Sequence, residues 1–290
     1  MKDINKILAW DIETAPLEDF GTEHHMFSTW KNRHRKENLS DTELIEKFNK
    51  EAGLYAEYSR IVCISCGFLH GEDCRLRSFV GTEEDIITNF LAMVDKFVAT
   101  RGGIISLGHN IQNFDVPYLR KAFSKYKPML SFPKCLSDLG EKPWTIDDKM
   151  IDTLQTHKGL NYMFSSMAEV ALHLGIQSPK LDTDGSQVAS LYRAGEIKRI
   201  SDYCEGDVYT SFCIYLNWLG IAPPNKISTT EEKTEETLVE ASPLKRLLLG
   251  QTLSDAEMKK LKAKLKKERK SEGFDNIMLA IRKVVPTFEL

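Results

Sequence analysis

The chain has 290 residues, 42% hydrophobic and 28% charged, with a formal net charge of −3; this is the profile of a globular protein, long enough for one large domain and an appendage. No apolar run approaches the roughly eighteen residues a membrane-spanning helix requires, so no membrane association is expected. Residues 221–290 carry 14 Lys and Arg against 11 Asp and Glu, which leaves the first 220 residues acidic and argues against a nucleic-acid binder that works through basic surface alone, though not against a carboxylate site filled by cations.

MKDINKILAW opens the chain without the apolar core and small-residue cleavage site of a signal peptide. Residues 6–13 read as a first strand that ends in Asp11, Ile12 and Glu13. Residues two apart on a strand share a face, so Asp11 and Glu13 project together while Ile12 turns into the core. Adjacent carboxylates repel unless a cation lies between them, and hard oxygen donors suit magnesium or manganese. On spacing alone the pair also fits an edge strand with two solvated acids.

Residues 18–58 form a polar, aromatic-dotted insertion, with helix expected over 41–58. Strands follow at 60–68 and 73–80, joined by a turn at His70 and Gly71. Cys63 and Cys66 form a C-x-x-C, but on a strand they face opposite sides, which argues against a redox or zinc motif. The six cysteines lack framework spacing and fit a reducing, cytoplasmic setting. Thr82 is a suitable N-cap for a helix in which Ile86, Phe90, Met93, Val94 and Phe97 recur at helical spacing. A fourth strand is expected at 103–109, a helix at 114–125 with Pro117 in its first turn, and a short fifth strand at 148–154. Helices should then cover 162–174, 184–194 and 196–219. Strands first, then strands alternating with helices, predict an α/β protein: a mixed five-stranded sheet with helices on both faces.

After Pro223 and Pro224 the composition changes. Residues 229–241 hold five Glu against one Lys and read as linker. Residues 254–270 hold eight Lys and Arg against three acids, with a Ser254/Glu257 capping box and a narrow stripe of Met258, Leu261 and Leu265. The expected organisation is a domain over 1–222, a polar linker over 223–242 and a lysine-rich helical extension over 243–290. The extension fits either a solvated helix or a tether for DNA or a partner protein.

Two further segments supply acids. GHNIQNFDVPYL places Asp115 at the start of a helix after the fourth strand, and SDYCEGDVYTSF places Tyr203 and Asp207 four apart on one helix face. Four carboxylates, Asp11, Glu13, Asp115 and Asp207, have the capacity for two divalent cations, the arrangement used for in-line phosphoryl displacement. A tyrosine at 203 can orient a water, since its phenol both donates and accepts.

D-x-E at Asp11 and Glu13, N-x3-F-D at Asn110, Phe114 and Asp115, and Y-x3-D at Tyr203 and Asp207 resemble, in order, the three exonuclease motifs of the DEDD superfamily. Tyr four residues before the last Asp, with Asp202 rather than His at five before, matches the tyrosine subclass. EAGLYAEYSRIVCISCGF, MAEVALHLGI and SPKLDTDGSQVASLYRAGEIKRISDYCEGDV are similar to stand-alone relatives of the family-B DNA polymerase exonuclease domain. The resemblance spans roughly residues 5–220 and implies a ribonuclease-H-like fold and two-metal (Mg2+ or Mn2+) 3′-to-5′ exonuclease activity on single-stranded DNA 3′ ends, in replication, proofreading in trans or repair. It implies metal binding by Asp11, Glu13, Asp115 and Asp207, with Tyr203 as a further catalytic residue and Ile12, Thr14, Asn110 and Phe114 as substrate contacts. On the residues alone Phe114 also fits a core aromatic and Asn110 also fits a loop cap, while Asp152 reads as a turn or helix cap rather than as a further site-facing acid. A 3′-to-5′ exoribonuclease and an inactive replication-complex scaffold are the alternatives. A DNA polymerase or another replication protein is the partner expected for the extension.

Overall fold

In the computed structural model, which describes residues 2–18, 20–136, 148–176 and 185–228 together with positions 258, 259 and 262, the run from Ile7 to Trp10 is almost fully buried. A strand apolar on both faces belongs inside a sheet covered on both sides, and β1 (Ile7–Pro16) lies third in a six-stranded sheet. The others are β2 (Ser59–His70), β3 (Asp73–Val80), β4 (Ile105–Gly108), β5 (Met150–Asp152) and β6 (Asn225–Ser228), in spatial order β5-β4-β1-β2-β3-β6. Only β2 runs against the rest. This is the ribonuclease-H-like arrangement that the sequence motifs imply.

Helices among the described residues include α1 (Phe27–Arg33), α2 (Asp41–Glu51), α3 (Glu83–Arg101), α4 (Asp115–Phe123), α5 (Thr153–Lys158), α6 (Met167–His173), α7 (Val188–Arg193) and α8 (Ile197–Trp218). Alternation along β1 divides the core. Ile7 and Ala9 pack with Val208 and Phe212 of α8. Leu8, Trp10 and Ile12 pack with Phe90 and Val94 of α3 and Val116 and Leu119 of α4. Asp11 and Glu13 have the parity of Ala9, so strand geometry sends them to the α8 side. Thr82 caps α3 as expected, its hydroxyl accepting from the Asp85 N–H, and β3 and the turn at Gly71 fall where the sequence places them.

Several elements differ from the sequence reading, each for a physical reason. The sheet has six strands because Asn225–Ser228, read as the start of a linker, pairs in parallel with Asp73–Leu76. The Asn225 N–H donates to the Glu72 carbonyl, and the Tyr209 hydroxyl to the Pro224 carbonyl. The domain therefore runs past residue 222, as the unit Met1–Thr229. The helix expected over 162–174 is confined to α6, because Ser166 and Glu169 form a capping box that fixes its start. Strand β5 stops at Asp152, whose carboxylate accepts from the Leu154 and Gln155 N–H groups and turns the chain into α5. The insertion read as polar has an aromatic core of its own: Phe20 stacks on Phe48, and Trp30 donates to the Leu44 carbonyl. The Ser254/Glu257 capping box and most of the lysine-rich extension lie outside the described residues. Among the described residues no helix is long and apolar enough to cross a membrane.

Candidate active site

The site lies where β1 outruns its neighbour. The parallel pairing of β1 with β4 covers Ile7 to Ala9, so beyond it the N–H of Ile12 needs another acceptor. That acceptor is Asp115 at the first turn of α4, whose Oδ1 receives the Ile12 N–H at 3.0 Å. A third carboxylate is thereby fixed to the backbone between Asp11 and Glu13. On the other side of β1, β2 carries a bulge: Glu13 pairs with Cys63 and Thr14 with Ile61. The extra residue, Val62, joins Cys63 on the same face in a cluster with Ile200 and Cys204. A bulge of this kind re-aims neighbouring side chains.

Two glycines set the approach of the flanking segments. A Cβ on Gly108 would meet Ile111 at 2.9 Å and the Trp10 carbonyl at 3.1 Å, so the loop leaving β4 can turn tightly against β1 only at glycine. A Cβ on Gly67 would meet Leu76 at 2.6 Å and Val208 at 3.2 Å. Gly67 thus lets α8, which carries Tyr203 and Asp207, lie close on the sheet.

The four carboxylates act electrostatically as one group. Burial raises the pKa of Asp11 well above its ordinary value, and the charges of Asp115, Glu13 and Asp207 raise it further. Glu13 is raised in the same way by burial and by Asp207, Cys63 and Asp115. Asp115 is pushed up to about 7, mainly by burial and also by Asp152 and Asp207, against the lowering effect of its backbone hydrogen bonds. Asp207 is pushed up to about 6 by burial, opposed by a hydrogen bond from Tyr203 and by the charge of Lys226. Tyr203 is raised strongly by burial and then by Asp207, Glu13 and Asp11, so its phenol stays protonated. Acids that destabilise one another's ionised forms in a buried site are what a bound cation would relieve.

Two of these carboxylates, with a thiol, also lie close together, while Asp115 and Asp207 are linked to them through their charges. Among the described residues, ligand atoms of Asp11, Glu13 and Cys204 all lie within 4.8 Å of one another. The Cys204 thiol, one turn before Asp207, donates weakly to the Asp11 carbonyl and Oδ2, each at 3.5 Å. Cys204 was not singled out in the sequence. Its signal was the three-residue spacing to Asp207, which puts both on neighbouring faces of a helix.

The remaining expected residues are placed less uniformly. Asn110 holds a left-handed backbone conformation, φ 66°. Its N–H donates to Asp152, its carbonyl receives the Phe114 N–H, and its side chain accepts from Asn113. Phe114 is half-buried and tilted against Tyr118, ring centroids 5.4 Å apart. Ile12 is 4% exposed, its side chain within the core and its N–H engaged by Asp115. The Thr14 hydroxyl donates to the Gly53 carbonyl at 2.7 Å. Asp152 has the capping role expected of it and also receives the Asn110 and Gln112 N–H groups, tying the second-motif loop to β5.

A family model described as "Predicted 3'-5' exonuclease related to the exonuclease domain of PolB" matches residues 53–247, more than half of the chain. The match contains Asp115, Tyr203 and Asp207, and begins after the strand that bears Asp11 and Glu13. A search of curated proteins finds no match.

Proposed function

The chain belongs to the family of predicted 3′-5′ exonucleases related to the exonuclease domain of PolB, and from that premise we propose that it hydrolyses phosphodiester bonds one nucleotide at a time from the 3′ end of single-stranded DNA, with two divalent cations. The observation that carries the proposal is the convergence of Asp11, Glu13, Asp115 and Asp207, from three separate segments, into one electrostatically linked and largely buried group. Such a group is costly to ionise unless cations compensate it.

In this reading the four carboxylates hold magnesium or manganese. The chemistry supplied by those ions when bound is neutralisation of the phosphate and stabilisation of the attacking and leaving oxygens. The protein's own groups do the rest. Asp115, anchored on the Ile12 N–H, keeps its carboxylate in one position without an ordering cost at each turnover. Burial, and after it the charges of Asp207, Glu13 and Asp11, keep Tyr203 protonated, so it is not the base. Its role is to hold the attacking water by hydrogen bonding while linked to Asp207. Phe114, next to Asp115 in the chain, offers a partly exposed ring on which a terminal base can stack. The left-handed Asn110 presents its loop to the strand end, and Asp152 keeps that loop rigid.

The test uses matched DNA and RNA oligomers with labelled 5′ ends, incubated with magnesium or manganese. A ladder shortening from the 3′ end of DNA supports the proposal. Degradation of RNA alone would instead make the protein an exoribonuclease that reads the 2′-hydroxyl. Absence of cleavage on both would favour a scaffold.

A further inference from the structure

The sheet face opposite the carboxylates carries a feature that the nuclease reading does not use. Between β3 and α3 lies a cavity of about 380 Å³. Its floor is apolar, formed by Cys66 and Phe97, with Phe68 and Met93 half-buried at its sides. Strand pairing sets Arg75 beside Phe68 and Arg77 beside Cys66. From the helix, Lys96 and Arg101 stand at the same rim, at spacings that share a face with Met93 and Phe97. Arg75, Arg77 and Lys96 are exposed. Arg101 lies over the rings of Phe68 and Phe97, 5.5 and 5.8 Å from their centroids. Among the described residues none of these four cations forms an ion pair. On a domain that is acidic overall, four uncompensated cations around one apolar pocket are a strong local departure.

We propose that this groove docks an acidic peptide segment of a partner protein, with one apolar side chain filling the pocket and flanking carboxylates meeting Arg75, Arg77, Lys96 and Arg101. Charge complementarity selects an anionic partner. The pocket selects one with an apolar anchor, since a groove of this size encloses a side chain or two. A nucleic-acid strand fits less well on two counts. Phe97 is buried, and Phe68, half-buried, already has Phe97 edge-on and Arg101 over its ring, a poor platform for base stacking. The groove also lies on the α3 face of the sheet, while Asp11 and Glu13 face α8, so a strand seated in the catalytic site does not pass over it.

The test uses the full chain and a fluorescein-labelled decapeptide of glutamates with one central phenylalanine, followed by anisotropy at low salt. Companion probes are the same peptide with serine for phenylalanine, and a labelled oligothymidylate. The peptide should bind the wild type, and bind at least about tenfold more weakly to the Arg75→Glu/Arg77→Glu variant and to Lys96→Glu. The serine peptide should also bind more weakly, and oligothymidylate affinity should be unchanged by the substitutions. A melting scan checks that the variants fold; should the double variant melt early, Lys96→Glu, at an exposed helical position, decides alone. No binding of the phenylalanine peptide to the wild type, or equal binding to the variants, overturns the proposal. A loss of oligothymidylate affinity matching the loss for peptide would assign the groove to nucleic acid and overturn it as well.

Discussion

Replacing Asp115 by Asn should stabilise the metal-free protein, and do so only where the native carboxylate is forced to ionise. The amide keeps an oxygen for the Ile12 N–H, so the backbone anchor at 3.0 Å is preserved. Asp115 titrates near 7 in the folded protein against an ordinary 3.8, chiefly through burial. At about 1.4 kcal/mol for each pKa unit, ionising it in the fold costs about 4 kcal/mol relative to the unfolded chain. The sign follows from the raised value: the contribution of the protonated form is complete below about 3.8 and is lost as pH rises through about 7. Between pH 5 and pH 8 the wild type should therefore lose about 3 kcal/mol that the variant retains. For a domain of this size that is roughly 6–12 °C in melting temperature. The assay is thermal melting of both proteins in chelator at pH 5 and pH 8, repeated with manganese, which should stabilise the wild type at pH 8 and the variant much less. A wild-type-to-variant difference that is the same at both pH values would refute the electrostatic account of the site.

Other changes probe neighbouring links. Tyr203→Phe should slow cleavage by about 10²- to 10⁴-fold without abolishing it, and an unchanged single-turnover rate would show the tyrosine to be merely packed. Gly67→Ala puts a methyl group against Leu76 and Val208 and should cost about 1–3 kcal/mol; because α8 must shift, cleavage should fall too, as urea unfolding and initial rates will show. A cut after Thr229 should leave the melting temperature and the rate on a short single strand intact, whereas a cut after Pro224 removes β6 and should lower the melting temperature.

The features legible in the sequence were those written in short-range pattern. β3 was placed to the residue because Asp73–Val80 alternates clearly between turn signals, and Thr82 announced α3 because a cap is a local hydrogen bond. Acids spaced two apart on β1, and Tyr203 and Asp207 four apart on α8, could be read as shared faces before any fold was known. What escaped was set by contacts across the chain. Asn225–Ser228 becomes a strand only because the edge of β3 is there to pair with it. The bulge at Val62, which puts Val62 and Cys63 on one face, depends on β1. Cys204 enters the site because Gly67 admits α8 to the sheet. Exposed Tyr162 and Met163 read as the start of a helix, yet the capping box at Ser166 starts it only at Met167.

The most direct test of the central claim, that Asp11, Glu13, Asp115 and Asp207 form a cation-dependent nuclease centre, is single-turnover digestion of a 5′-labelled single strand by wild type and by Asp11→Ala, purified identically and supplied with magnesium. The account predicts stepwise loss of 3′ nucleotides by the wild type, abolished by chelator, and no cleavage by the variant even though its circular dichroism spectrum matches the wild type. Full activity in Asp11→Ala, or wild-type cleavage that persists in chelator, would contradict it.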